Sequence, residues 1–142
     1  MNIKEVEKIT GISSQNIRFY EKEGLVKPLR DDNNGYRVYD ENDIKRLKLI
    51  KMLRMLDMPV GDIKGLLDGS DLNSSLDRQK ELLEKKVADA MYAIKVCDGL
   101  KDEYQLLNDI DVDKYLNEME ESSDHYFNTW LNDYKYVKEY LH

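Results

Sequence analysis

Between Leu72 and Asn108 the chain runs for thirty-seven residues without a proline. Within that stretch Leu76, Leu83, Ala90, Cys97 and Tyr104 recur every seven residues, and Val87 and Ile94 fall between them on the same side. Apolar residues repeating at this period form the seam of a coiled coil, here interrupted by Lys80 and Lys101 near its ends. At 1.5 Å per residue such a helix spans about 55 Å, more than a small domain can enclose. It needs a partner helix. Residues 71–108 are therefore expected to be a dimerisation helix, and the rest of the 142-residue chain must be arranged around it.

The residues before it read as a small, separate module over 1–70. Asn2 with Glu5 has the spacing of a helix N-cap and its reciprocal partner, and Ile3, Val6 and Ile9 supply an apolar face. Gly11 breaks that helix, Ser13 can cap a second one running to about Glu23, and Gly24 ends it. Two short helices joined by a tight glycine-containing turn make a helix-turn-helix. Leu25 to Tyr39 contains Pro28, the polar run Asp31-Asp32-Asn33-Asn34, and Gly35, which excludes a helix. Asn34-Gly35 predicts a type I′ hairpin turn, with strands over Val26–Arg30 and Tyr36–Tyr39. Asp40 can cap a third helix carrying Ile44, Leu47, Ile50 and Leu53, and Pro59 opens a short fourth that Gly69 closes. The expected fold class is mainly α: a winged helix-turn-helix head with one small hairpin, a long coiled-coil helix, and a short helical tail over 109–142.

Charge divides along the same line. Residues 1–54 hold twelve Lys or Arg against nine Asp or Glu, whereas residues 55–142 hold ten against twenty. A basic head on an acidic body suits a protein whose head alone touches phosphates, although solvated helix faces also produce such imbalances. No apolar run reaches the ~20 residues a membrane-spanning helix needs. The N-terminus lacks the apolar core of a signal peptide, so a cytoplasmic setting without membrane contact is expected. With Cys97 the only cysteine, no intramolecular disulfide can form, and thiolate metal sites and iron–sulfur clusters lack ligands. Neither metal nor cofactor is expected. The chain also contains no catalytic triad, no phosphate-cradling glycine loop and no H-E-x-x-H, so enzymatic activity is not expected.

In a winged helix-turn-helix the second helix enters the major groove and the hairpin lies along the backbone. The groove-facing candidates are Ser14, Gln15, Asn16, Arg18, Phe19 and Lys22, because the other positions form the apolar face. Gln15 and Asn16 can pair with adenine edges, and Arg18 suits guanine or phosphate. In the wing, Arg37 and Tyr39 alternate with Tyr36 and Val38, which offers a cation and a hydroxyl to phosphate. Tyr20 is expected to contact the backbone or to brace its helix.

These residues carry a resemblance. The run NIRFYEKEGLVKPLRDDNNGYRVYDENDIKRLKLIKMLRMLDMP is similar to the N-terminal module of the MerR family, with its R-x-Y-E-x-x-G-L-x-x-P-x-R signature and G-Y-R-x-Y wing. The matching positions are Arg18, Tyr20, Glu21, Gly24, Leu25, Pro28, Arg30, Gly35, Tyr36, Arg37 and Tyr39. Two positions depart: Asn16 stands where Thr is usual, and Asp57 where Gly usually begins a second wing. The resemblance implies a bacterial homodimer with antiparallel long helices that sets two heads on a palindrome in double-stranded promoter DNA. It also implies that an effector drives bending and untwisting of an overlong spacer, so that RNA polymerase can engage both promoter elements. Physically this is indirect readout used as a switch.

The tail is acidic, with nine Asp or Glu against three Lys over 109–142, yet it holds seven of the thirteen aromatics. Tyr126, Trp130 and Tyr134 recur at i+4, a spacing that can form a pocket for a small lipophilic or cationic effector, or simply dock the tail on the dimer. A lone Cys97 can sense electrophiles or can be a small seam residue. The alternative to a DNA-binding regulator is a protein–protein adaptor that uses the coiled coil and the aromatic tail.

Overall fold

The computed structural model describes residues 1–122 and divides into two compact units, Met1–Gln79 and the residues from Lys80 onward. In the first unit, α1 (Ile3–Thr10) and α2 (Ser14–Lys22) are set by their caps. The Asn2 carboxamide accepts from the Glu5 N–H, and the Ser13 hydroxyl accepts from the Asn16 N–H. Each satisfies a donor that the first turn of a helix leaves unpaired. Gly11, at φ 71°, closes α1, and the Lys51 ammonium donates to the Thr10 carbonyl beside it (2.8 Å). After α2 the Leu25 N–H returns to the Tyr20 carbonyl (2.8 Å) and the Gly24 N–H to Glu21 (3.0 Å), with Gly24 left-handed at φ 79°. That paired closure needs a residue that tolerates positive φ.

The hairpin is smaller than expected. β1 (Leu29–Arg30) and β2 (Arg37–Val38) pair antiparallel with Leu29 opposite Val38 and Arg30 opposite Arg37. Residues 31–36 form the connection, and within it only Gly35 takes positive φ. A type I′ turn needs both central residues there, so the Asn34–Gly35 expectation is corrected. The Gly35 N–H instead donates to the Asp31 carbonyl (2.8 Å), the Asp31 N–H to that of Tyr36 (2.8 Å), and the Asp31 carboxylate accepts from the Asn33 N–H. The long polar connection satisfies its own backbone and leaves little ladder.

α3 (Glu41–Met55) opens on a reciprocal cap, in which Asp40 and Asp43 side chains accept from each other's backbone N–H. Its Ile44, Leu47, Ile50 and Leu53 are buried with Val6, Ile12, Ile17, Leu25, Val26, Met58 and Ile63 in one core beneath α1 and α2. Ile9, expected on the apolar face of α1, is 48% exposed. α4 (Val60–Leu67) follows a turn in which Asp57 sits left-handed at φ 63°, while the Met58 N–H returns to Leu53 (3.1 Å). The conformation explains why glycine suits that position. α5 (Leu72–Glu103) begins in this unit, where the buried Gln79 side chain donates to the Leu56 carbonyl (2.9 Å).

From Lys80, α5 continues to Glu103, five residues short of the expected Asn108. A short 3-10 turn (Leu107–Asp109) leads to α6 (Val112–Ser122), whose first turn is capped by the Asp111 carboxylate accepting from the Lys114 N–H (3.2 Å). The Tyr104 and Tyr115 rings meet edge to face at 6.2 Å, and the Tyr115 hydroxyl donates to Glu103 (2.6 Å). Along α5, Val87, Met91 and Ile94 are exposed, as is Cys97. Among the described residues, no helix is long and apolar enough to cross a membrane, and no cluster of three His, Cys, Asp or Glu could hold a metal ion.

Candidate nucleic-acid interface

At 100° per residue, Gln15, Arg18 and Lys22 lie within about a 60° arc of α2, and all three are exposed. Ile17 and Tyr20 occupy the buried side. Asn16 is half-buried on one flank, and its N–H is taken by the Ser13 cap. The outward face of α2 thus presents an amide and two cations, chemistry that suits base edges and phosphate.

Ser14 is also half-buried, and its hydroxyl is committed: it donates to the Glu7 carboxylate, which also accepts from the Ser14 N–H (3.2 Å). These hydrogen bonds hold the Glu7 carboxyl below the usual carboxylate range, with Lys4 and Arg18 helping. Tyr20 braces the helix. Its ring packs 5.8 Å from Phe19, burial pushes its hydroxyl above the ordinary tyrosine range, and the neighbouring Arg54 partly offsets this. Arg54 in turn donates to the Met58 carbonyl (2.7 Å), so α2 is linked to the turn before α4.

The two wing candidates separate. Arg37 is half-buried, and its Nε donates to the Glu21 carboxylate on α2. Tyr39 is 1% exposed and belongs to the core. The expectation that its hydroxyl meets phosphate from the wing is therefore not met by its placement. The strand leaves the two-residue ladder after Val38, and the Tyr39 backbone pairs in both directions with Met1 at 2.8 Å. Strand alternation no longer governs where its side chain points. Burial, with Glu21 nearby, pushes the Tyr39 hydroxyl above its ordinary range.

Glu21, Glu7 and Arg54 contact the candidate residues or brace their helix, and the sequence pattern left them without a role. A signal for Glu21 existed. A carboxylate in the last turn of a helix opposes the helix dipole, and beside a phosphate-facing surface it also repels DNA, so it calls for a cation across from it. The effector candidates Tyr126, Trp130 and Tyr134 lie outside the described residues.

Residues 1–70 match the family model described as MerR HTH family regulatory protein. The HTH-type transcriptional regulator SkgA of Caulobacter vibrioides (strain NA1000 / CB15N) is 39% identical over 83 residues, covering 57% of this chain and 32% of SkgA. The chain thus spans about a third of that relative's length. The HTH-type transcriptional regulator CueR of Salmonella typhi is 35% identical over 106 residues, 72% of this chain and 75% of CueR. Among solved structures, the EcmrR–DNA complex superposes with a TM-score of 0.61 at 25% identity, covering 72% of this chain and 40% of EcmrR.

Proposed function

Because the chain belongs to the MerR family of helix-turn-helix regulators, whose members bind DNA and regulate transcription, we propose that it works as a homodimer on a palindromic promoter site. In this reading residues 1–70 bind DNA, residues 71–108 dimerise, and residues 109–142 receive an effector. Gln15 and Asn16 meet base edges, Arg18 and Arg37 hold phosphates, and the dimer deforms the spacer so that RNA polymerase can engage the promoter. The observation that carries the dimer is the exposed apolar row on α5: Val87, Met91 and Ile94 are 59%, 66% and 60% exposed in the single chain. Contiguous apolar surface at helical spacing calls for a partner, and the same row on a second copy supplies one. Two heads on one two-fold axis then read an inverted repeat.

Selection of bound duplexes from a randomised library, with sedimentation of the complex, tests this reading. Recovery of an inverted repeat by a dimer supports it; a single asymmetric half-site bound by a monomer overturns it. The Gln15→Ala variant should relax one position per half-site by about 1–3 kcal/mol. For the effector segment, Trp130 is the only tryptophan in the chain. Saturable quenching of its fluorescence by a lipophilic cation such as tetraphenylphosphonium is the expected signature, and unsaturable collisional quenching overturns the assignment.

A further inference from the structure

Arg30 and Arg37 stand directly opposite each other in the hairpin. Like charges at such a cross-strand pair repel, and a two-residue ladder has little of its own to resist them. Glu21 reaches this pair from the last turn of α2. Its Oε2 accepts from the Arg37 Nε, and its Oε1 lies 3.9 Å from an Arg30 terminal nitrogen. The Glu21 side chain is only 20% exposed, so the contact is partly shielded from solvent. Arg30 meanwhile donates to the Gly35 carbonyl (3.0 Å), which ties the far end of the connection to the same cluster. One carboxylate therefore offsets the repulsion within the pair, leaving a net +1, and joins both strands of the wing to α2.

An arginine side chain has five N–H donors in a fixed fork. With Nε committed to Glu21, the two terminal nitrogens of Arg37 are the edge that can grip a phosphate bidentately. We propose that Glu21 is a positioning residue of the DNA interface: by holding Arg30 and Arg37 from opposite strands, it sets the wing against α2 and aims Arg37 at the backbone. This inference rests on the DNA-binding reading above.

The sign of one substitution tests it. Glu21→Gln raises the net charge of the head by one, so a carboxylate that merely competes with phosphate would give tighter binding when removed. A positioning carboxylate gives weaker binding instead, and a shallower salt dependence because one phosphate contact per head is lost. That contact contributes about 0.9 to the slope of log K against log salt. Between 50 and 200 mM salt its loss narrows the change in Kd by about 3.5-fold per head.

Full-length wild type, Glu21→Gln, Glu21→Asp, Arg37→Ala and the double variant Glu21→Gln/Arg37→Ala are titrated by fluorescence anisotropy. The probe is a 30-bp duplex recovered by selection with the wild type, and folding of each variant is checked by circular dichroism. Glu21→Asp keeps the charge but shortens the reach, so it should lose the same contact; it also decides the matter if the glutamine variant fails to fold. The double variant should be no weaker than Arg37→Ala alone, a non-additivity that a general loss of stability does not produce. Tighter binding by Glu21→Gln, or additive losses in the double variant, overturns the proposal. Failure of the wild type to enrich any duplex in that selection overturns the DNA-binding reading itself.

Discussion

Ile94→Ala should weaken self-association by about two orders of magnitude without unfolding the head. Ile94 is 60% exposed in the isolated chain, so about that share of its side chain is available for a partner to cover. The substitution removes three carbons, each contributing about 0.8 kcal/mol when fully buried. Only the part newly buried on association counts, which leaves about 1.4 kcal/mol per subunit. A homodimer carries the change twice, or about 2.9 kcal/mol, and each 1.4 kcal/mol is about a factor of ten in Kd. Sedimentation equilibrium over a concentration series measures this directly. Leu107 is the control, since it is more exposed than Ile94, at 82%, but lies off the seam. Leu107→Ala should leave Kd within about threefold of the wild type if apolar exposure counts only along the α5 row. Ile94 is not among the residues of the head core, so thermal unfolding of that unit should be unchanged. Equal association of wild type and Ile94→Ala, or equal losses from Leu107→Ala, would refute the assignment of the α5 row as the dimer seam.

Four other outcomes follow from particular contacts. Tyr39→Phe should leave DNA affinity unchanged, because the hydroxyl it removes is buried in the core; a drop in affinity on the selected duplex would restore Tyr39 as a phosphate contact. Gly11→Ala should cost about 1–2 kcal/mol, because the residue is left-handed and the new Cβ would stand 2.8 Å from the Lys51 Nζ. For a head of this size that is a fall in Tm of at least about 4 °C, and a melt within 2 °C of wild type would contradict the strain. The Tyr115 hydroxyl is pushed up to about 12, chiefly by its hydrogen bond to Glu103, whose own carboxyl is held below its usual range. The neutral phenol is the form the fold favours, so this contact is complete below the ordinary tyrosine pKa of about 10 and lost as pH rises through 12. On the acid side it is lost as pH falls through the depressed Glu103 value. Absorbance titration should show a late-ionising tyrosine that Tyr115→Phe removes and Glu103→Gln shifts to lower pH; an unchanged titration curve in both variants contradicts this. Finally, an antiparallel pair centred on the midpoint of α5 puts the two Cys97 Cα atoms about 28 Å apart along the seam, whereas a disulfide tolerates about 7 Å. Rapid, near-complete cross-linking of dilute dimer under mild oxidation would exclude that arrangement.

What was legible in the amino-acid order, and what was not, follows from how far each determinant reaches along the chain. The caps at Asn2, Ser13 and Asp40, and the breaks at Gly11 and Gly24, involve a residue and its own nearby backbone, and they stand where the sequence placed them. The period of α2 likewise separates Gln15, Arg18 and Lys22 from Ile17 and Tyr20 without help from the rest of the fold. Strand alternation held only as far as the ladder did. Two residues of pairing cannot carry the pattern to Tyr39, whose placement depends on Met1, thirty-eight positions away. The end of α5 was overestimated for a related reason. Tyr104 fits the heptad, but its ring packs on Tyr115, which belongs to a helix that Asp111 starts afresh.

The interface shows the same division with a functional consequence. The exposed face of α2 is written locally, so if Gln15 meets base edges as proposed, variation there can change what is read without disturbing how the head is built. Arg37 is different, because its orientation depends on a carboxylate sixteen residues earlier, on another element. Substitution at Glu21 therefore alters two things at once, the charge of the head and the aim of the wing, and these push affinity in opposite directions. If the protein deforms its site as proposed, the angle at which the wing grips the backbone matters beyond the energy of the contact, since deformation is driven by where the phosphates are held. On this argument the weaker complex formed by Glu21→Gln would also hold the DNA differently. Comparing the bend of wild-type and Glu21→Gln complexes by circular-permutation gel shift separates the two effects: equal affinity with equal bend would mean that the wing takes its angle from the hairpin alone.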